Sequence, residues 1–345
     1  MKRSAMNTSP SFPPQRPARR SGVLALAGLA TLLMALSSVA PTVAQPAYPQ
    51  RPITLVVPFP PGGSADTIGR LVGQRLSDEL GQPVVIDNRP GAGTAIAAGL
   101  VAKAPADGYT LLISSGSTFT ANPALRHNLP YDTVKSFDPL AIVARIPLIL
   151  LANKDVPVNT VKEFVALVKA APDKYAYASF GAGTTSHFTG EIVLQAIGGK
   201  LMHVPYKGSA PAMTDLIGGQ VPFSVDTVTA ALPQLKAGKV KAIAVTTARR
   251  SSQLPNVPTF AEAGYPEINA DTWIMVVAPK GTPLAVRGLL ERTLAKIIAT
   301  PQAKAALQAQ GAEPNFAGAA ASVAQIELEL PLMRAVAQRA NIRAE

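Results

Sequence analysis

The run Phe59-Pro60-Pro61-Gly62-Gly63-Ser64-Ala65-Asp66-Thr67 follows the apolar stretch Ile53–Val57, so a strand leads through two glycines into hydroxyl and carboxylate residues suited to opening a helix. Glycine makes positive φ and close backbone approach inexpensive. A helix N-terminus leaves backbone N–H groups unpaired and carries partial positive charge, so this junction can hold a carboxylate or phosphate without Arg or Lys. It equally suits a plain corner of an α/β protein, with Ser64 or Asp66 capping the helix. A second turn, Ser179-Phe180-Gly181-Ala182-Gly183-Thr184-Thr185-Ser186-His187, has the same character, with three consecutive hydroxyls at a helix start. If the two turns confront each other across a cleft, they suit a small ligand carrying one or more carboxylates. Otherwise Thr184, Thr185 and Ser186 simply cap their helix.

Two further groups end strands. Ser114-Ser115-Gly116-Ser117-Thr118 places hydroxyls at the carboxyl end of a strand, where open parallel sheets bind ligands, so Ser115 and Ser117 are expected to line the cleft. Asp226 follows Val221–Val225 and could receive an ammonium or hydroxyl, or could cap the helix from Val228. Neither Gly91-Ala92-Gly93 nor Gly181-Ala182-Gly183 has the third glycine of a dinucleotide fingerprint, and no Gly-Lys-Ser/Thr phosphate loop occurs. A Gly-x-Ser-x-Gly elbow is absent too, and the adjacency of Ser186 and His187 does not itself orient a base toward a nucleophile. A periplasmic serine hydrolase using this pair is therefore a distant alternative. No cofactor is expected. With no cysteine and three histidines without metal-ligand spacing, no metal site is expected either.

The elements that must position these groups alternate. Strands are expected at 53–57, 84–88 and 110–114, with helices over 67–80 and 94–102; Gly81 and Gly108 stand where helix-ending glycines belong. An apolar crossover, Ile142–Ala152, leads to a second such unit. Its helices are expected at 160–170, 185–197, 210–217 and 228–237, and its strands at 175–179, 201–204, 221–225 and 242–246. After the Pro- and Gly-containing stretch 254–266 come an apolar run, Trp273–Ala278, and helices 284–299 and 301–310, which return to the first unit. The pattern is α/β, two parallel-sheet units joined by two crossings, near 145–152 and 273–279, with a cleft between them.

At its start the chain of 345 residues has a basic segment (Lys2, Arg3, Arg16, Arg19, Arg20), an apolar run from Val23 to Leu36 and small residues ending at Ala44. This has the form of a cleaved secretory signal peptide, too short for a membrane span, with the Sec or twin-arginine route left open. Its removal would take away five basic and no acidic side chains, lowering the net charge from +11 to +6. The remaining Lys and Arg are scattered, which argues against nucleic-acid binding.

The motifs together resemble the periplasmic substrate-binding proteins of tripartite tricarboxylate transporters, the Bug family. The resemblance covers nearly all of residues 48–330. It rests on Tyr48-Pro49, Arg51-Pro52-Ile53, Val57-Pro58-Phe59 with Pro61–Asp66, Asn88–Gly93, Asp107–Leu112, Val204–Gly208, Gly218–Val221, and Leu254-Pro255 through Glu262-Ala263-Gly264-Tyr265. It implies a two-lobed periplasmic-binding-protein fold of type II, two doubly wound sheets joined by a two-strand hinge, with lobe 1 from 45–146 and 271–345 and lobe 2 from 147–270. It also implies a periplasmic monomer that hands a small carboxylate to a membrane permease. In the family, backbone amides and water hold the proximal carboxylate in the turns matching Phe59–Thr67 and Gly181–His187. That nominates Phe59, Gly62, Gly63, Ser64, Ala65, Asp66, Thr67, Gly183, Thr184, Thr185, Ser186 and His187, with Ser115, Ser117, Tyr206, Lys207 and Asp226 added by placement. Gly69 departs from the family, where a larger helix former such as Ala is usual; as a helix-interior glycine it would cost about 0.5–1 kcal/mol. Ligand identity stays open among amino acids and di-, tri- and aromatic carboxylates, and sensing for a histidine kinase is the rival to transport.

Overall fold

The computed structural model describes residues 9–15, 48–172 and 174–342. Residues 1–47 and 48–345 form separate compact units. Within the first, residues 9–15 are exposed coil, and the rest of the expected signal peptide lies outside the described residues. No helix among the described residues is long and apolar enough to cross a membrane.

The second unit opens with β1 (Ile53–Val57), α1 (Ser64–Leu80), β2 (Val84–Asn88), α2 (Ala95–Ala102) and β3 (Thr110–Ser115). Apolar residues at helical spacing, Ile68, Val72 and Leu76, press α1 onto the sheet. Gly69 permits that contact: a Cβ there would lie 3.3 Å from Ile113 Cγ2 and 3.4 Å from Val57 Cγ2. The glycine expected to loosen the helix thus lets it approach the strands closely. Gly81 ends α1 in the left-handed conformation, as expected. Gly108 does not end a helix, because α2 stops at Ala102, ahead of Pro105. It turns the chain into β3 at φ 84°, and its carbonyl accepts from the Tyr48 hydroxyl at 2.6 Å.

A single π turn (Ser117–Ala121) and the short α3 (Asn122–Leu125) lead to β4 (Phe137–Asn153), 17 residues long. The second half comprises α4 (Val161–Ala170), β5 (Ala176–Ser179), α5 (Thr185–Ile197), β6 (Met202–Pro205), α6 (Ser209–Ile217), β7 (Phe223–Thr227), α7 (Val228–Lys236) and β8 (Val240–Val245). The chain returns through β9 (Asp271–Pro279), α8 (Leu284–Ala299), α9 (Pro301–Ala309), β10 (Glu313–Gly318) and α10 (Ala319–Arg339).

The result is a two-lobed α/β fold whose strand order is β2-β1-β3-β9-β4-β7-β5-β6, with β10 and β8 also pairing β4. The beginning of β4 pairs β9 and β10, and its end, from Leu148, pairs β7 and β8, so one continuous strand belongs to both sheets. Pairings among β1, β2 and β3 and among β5, β6 and β7 are parallel, but every pairing of β4 or β9 is antiparallel. The sheets are therefore mixed rather than parallel throughout, because the strand that leaves one sheet and the strand that returns run in opposite directions. The return falls ahead of Asp271, not at 273–279: Thr246 N donates to Leu148 O and Ala270 N to Thr246 O, and β9 lies wholly on the first sheet. α10, which sequence patterning had left unassigned, packs on β4, α3 and α5. Its Glu329 accepts from Trp273 Nε1 at 2.6 Å and Thr120 Oγ1 at 2.8 Å.

Candidate functional site

The turn between β1 and α1 is held from behind. Asp66 accepts from Gly62 N at 3.0 Å, Asn88 Nδ2 at 3.0 Å and Arg70 Nε at 3.1 Å, while Asn88 Nδ2 also donates to Phe59 O at 2.9 Å. Burial pushes the Asp66 carboxyl up, but hydrogen bonds from Arg70, Gly62 and Asn88 outweigh it and hold the pKa below the usual carboxylate range. Asp66 thus braces the turn. It does not cap the helix, and neither does Ser64: the N-cap is Gly63, with no side-chain capping bond. The N–H groups of the first turn of α1 therefore have no intrahelical acceptor, and the N–H of Thr67 is the first to close a helical bond, to Gly63 O at 2.9 Å.

These donors open on a small cavity of about 10 Å³, lined by Phe59, Gly63, Ser64 and Ala65 from the first turn, and by Ser115, Phe180, Ser209 and Thr272. Thr272, on β9 and 1% exposed, has a hydroxyl without a hydrogen-bond partner. A helix start facing an unpartnered buried hydroxyl is a site for an acceptor-rich group. Ser115 Oγ already accepts from Ser117 N at 3.3 Å.

Across the cleft, the first turn faces α6 rather than the Gly181 turn. A Cβ on Gly63 would lie 3.8 Å from Ser209 Oγ, and one on Gly208 2.7 Å from Pro60 Cδ. Gly208 adopts φ 125°, a conformation that glycine supplies readily. The Gly181 turn instead meets its own sequence twin: a Cβ on Gly93 would lie 2.8 Å from Ala182 O, bringing Gly91–Thr94 against Gly181–Thr184. Phe59 and Phe180 join the two expected turns, edge to face at 5.9 Å.

In the Gly181 turn three donors are engaged by protein. Gly183 N donates to His187 Nδ1 (3.3 Å), Thr184 N to Gly181 O (3.3 Å) and Thr185 N to Ser117 Oγ (3.1 Å). Ser186 Oγ donates to Val225 O at 2.6 Å, so it is not aimed at His187, and the hydrolase pair has no geometry. Behind the turn the rings of His187 and His203 stack at 3.7 Å, and His203 Nε2 lies 2.7 Å from Ser179 Oγ, which accepts from Gly181 N at 3.1 Å. Burial pushes His187 down to about 4; burial and the neighbouring His187 push His203 down to about 3. Both are neutral at pH 7.

Beyond Phe59 and Phe180 lies a larger cleft of about 430 Å³, lined in part by Gly91–Thr94, Arg126, Gly181, Thr184, Tyr206 and Lys207. Tyr206 donates its hydroxyl to Asp215 at 2.7 Å. Gly62, Asp66, Thr67, Ser117, Gly183, Ser186, His187 and Asp226 line neither cavity, and Thr185 faces a third cavity beside α10. Asp226 is fully buried: its Oδ1 accepts from Ser209 Oγ and Thr227 N, its Oδ2 has no partner, and burial pushes its pKa up to about 6. Thr227, not Asp226, caps α7. Sequence reasoning missed Phe180 as a wall, Ser209, Thr272 and Arg126. Ser209 had a signal, since Gly208-Ser209 opens a helix as Gly63-Ser64 does. Thr272 and Arg126 had none.

Comparison with known proteins identifies the family. The family model for the tripartite tricarboxylate transporter family receptor matches residues 68–338. BugT of Bordetella pertussis is 38% identical over 287 residues, covering 83% of this chain and 88% of BugT. The solved structure of R. palustris Rpa4515 with adipate has a TM-score of 0.84 at 37% identity, covering 86% of this chain and 99% of the other. That of MatC (Rpa3494) from Rhodopseudomonas palustris with bound malate gives 0.79 at 32%, covering 84% and 99%. The chain belongs to the tripartite tricarboxylate transporter family receptors, periplasmic solute-binding proteins rather than enzymes.

Proposed function

We propose that this protein captures a small organic acid between two lobes, 45–146 with 271–345 and 147–270, and delivers it as a monomer to the permease of a tripartite tricarboxylate transporter. Export by cleavage of residues 1–44 places it in the periplasm. The observation that carries the reading is the uncapped start of α1, facing the unpartnered Thr272 hydroxyl in a cavity walled by both lobes. The adipate and malate bound by its structural neighbours support a carboxylate as the ligand. At about 10 Å³ the small cavity has room for one water-sized group, so a carboxylate enters only when the Phe59 and Phe180 rings part. Binding is thereby coupled to lobe motion, and the ligand stabilises whichever state it contacts best. Thermal-shift and calorimetric titration of the purified protein with mono-, di- and tricarboxylates should give saturable stabilisation by at least one acid. Silence across the whole panel would sink the reading. Loss of uptake of that acid on deletion of the gene would establish transport as against sensing.

A further inference from the structure

Asp226 is a buried carboxylate one hydroxyl away from the small cavity. It stands on β7, fully buried, beside Ile149 of β4. Its Oδ1 accepts from Ser209 Oγ at 2.8 Å and Thr227 N at 2.7 Å, and its Oδ2 has no partner. Ser209 lines the small cavity opposite the start of α1. A hydroxyl has a single hydrogen. While Ser209 gives it to Asp226, the Ser209 oxygen can only accept from the cavity, and a ligand carboxylate there can only accept too. The titratable groups on the surrounding elements are engaged elsewhere. On α6 Asp215 accepts from Tyr206, between α5 and β5 Glu191 accepts from Tyr177, and on α5 His187 is neutral. On β4 Asp138 pairs with Lys280 and Arg145 with Asp271; on α7 Lys236 is exposed, and on α1 Asp66 pairs with Arg70. Burial is the first cause of the raised pKa of Asp226, about 6, opposed by the hydrogen bonds from Ser209 and Thr227.

We propose that Asp226 is a positioning residue that links ligand capture to protons: it takes a proton from solvent as a carboxylate binds, and so frees Ser209 to donate to the ligand. This rests on the carboxylate-receptor reading above. The proton goes to Oδ2, which has no bond to lose. Oδ1 keeps Thr227 N, but its hold on Ser209 falls from a charge-assisted bond to a neutral one of roughly half the strength, and the Ser209 hydrogen turns to the ligand. The bound anion in turn favours the neutral form of Asp226, because two carboxylates close together resist ionising at once. The neutral form binds the ligand, so affinity is greatest below the Asp226 pKa of about 6 and falls as pH rises beyond it.

The test is calorimetric titration of the full protein with adipate, malate and the other acids of the panel above. Between about pH 6.5 and 8.5, where these two acids stay ionised, affinity should fall about tenfold or more. At about pH 7.5 the binding enthalpies in HEPES and Tris should differ by the uptake of on the order of one proton. Asp226→Asn keeps an acceptor for Thr227 N without the charge; it should hold affinity within about threefold across that range and take up no proton. Ser209→Ala should lower affinity about tenfold at pH 6.5 and reduce the pH dependence to under about threefold. The proton count is read on the unaltered protein, so it decides the matter even if Asp226→Asn perturbs folding. Tight binding with no proton uptake, a folded Asp226→Asn that keeps the wild-type pH slope, or a Ser209→Ala that keeps it overturns this inference and leaves the receptor reading standing. Silence of the wild-type protein to the whole panel overturns both.

Discussion

Two turns in this molecule share glycines, hydroxyls and a following helix, yet the fold engages their donors to different degrees. At Gly62–Asp66 the bracing comes from behind, through Asp66 and Asn88, and no side chain caps the helix. At Gly181–Ser186 the N–H groups of Gly183 and Thr185 are taken by His187 and by Ser117 from the other lobe. A glycine-rich helix start is therefore an anion site only when nothing else in the fold satisfies its donors. The second turn gives one donor to the Ser117 hydroxyl of the other lobe and also lines the larger cleft.

The largest way to break this contrast is Asp66→Ala. It strips the Gly62 turn of a buried carboxylate with three hydrogen-bonding neighbours and should cost about 2–3 kcal/mol in chemical denaturation, with loss of ligand binding. A cost under about 0.5 kcal/mol with binding intact would show that the open turn needs no brace.

Acid should probe the other turn. His187 and His203 stay neutral in the folded protein but accept protons in the unfolded chain near pH 6.5, so protons favour unfolding. Their contribution is complete above about pH 6.5 and is lost as pH falls toward about 4 and 3. Asp226 and Glu191 have raised pKa values and act in the opposite sense, offsetting part of the loss. The net fall from pH 7 to pH 5 should be about 2 kcal/mol, and His187→Asn with His203→Gln should abolish it and leave the smaller opposite slope of Asp226 and Glu191. A double variant that keeps the wild-type slope would place the proton uptake elsewhere.

Ser117→Ala removes the acceptor for Thr185 N and should cost about 1–2 kcal/mol. Wild-type stability in that variant would mean that water replaces the hydroxyl and that the second turn is open after all. The smallest effect on stability is expected for Thr272→Val. Its hydroxyl has no partner to lose, so stability should stay within about 0.5 kcal/mol while ligand affinity falls several-fold. Unchanged affinity would remove the small cavity from the ligand's path.

Much of the architecture was legible in local chemistry. β1, β2, α5 and α8 have the bounds expected from apolar periodicity, and Gly81 ends its helix as a C-terminal glycine should. The Gly108 expectation failed because that residue answers to a distant partner, Tyr48, and the reason for Gly69 is likewise distant, its close approach to Ile113 and Val57. The last helix escaped notice: of its 21 residues only Ser322, Ile326, Val336 and Ala337 are buried, too sparse a stripe to stand out.

Residue types and their order determined the alternation of strand and helix, the family, and the presence of two glycine turns able to hold an anion. Those properties rest on interactions within a few positions of each other. Tertiary structure alone decided how many donors each turn kept free, that Gly208-Ser209 stands across from Gly62-Gly63, and that Thr272 and Arg126 join the cavities. Each depends on groups far apart in sequence that β4, continuous through both sheets, and β9, antiparallel to it on the first sheet, bring to the same cleft.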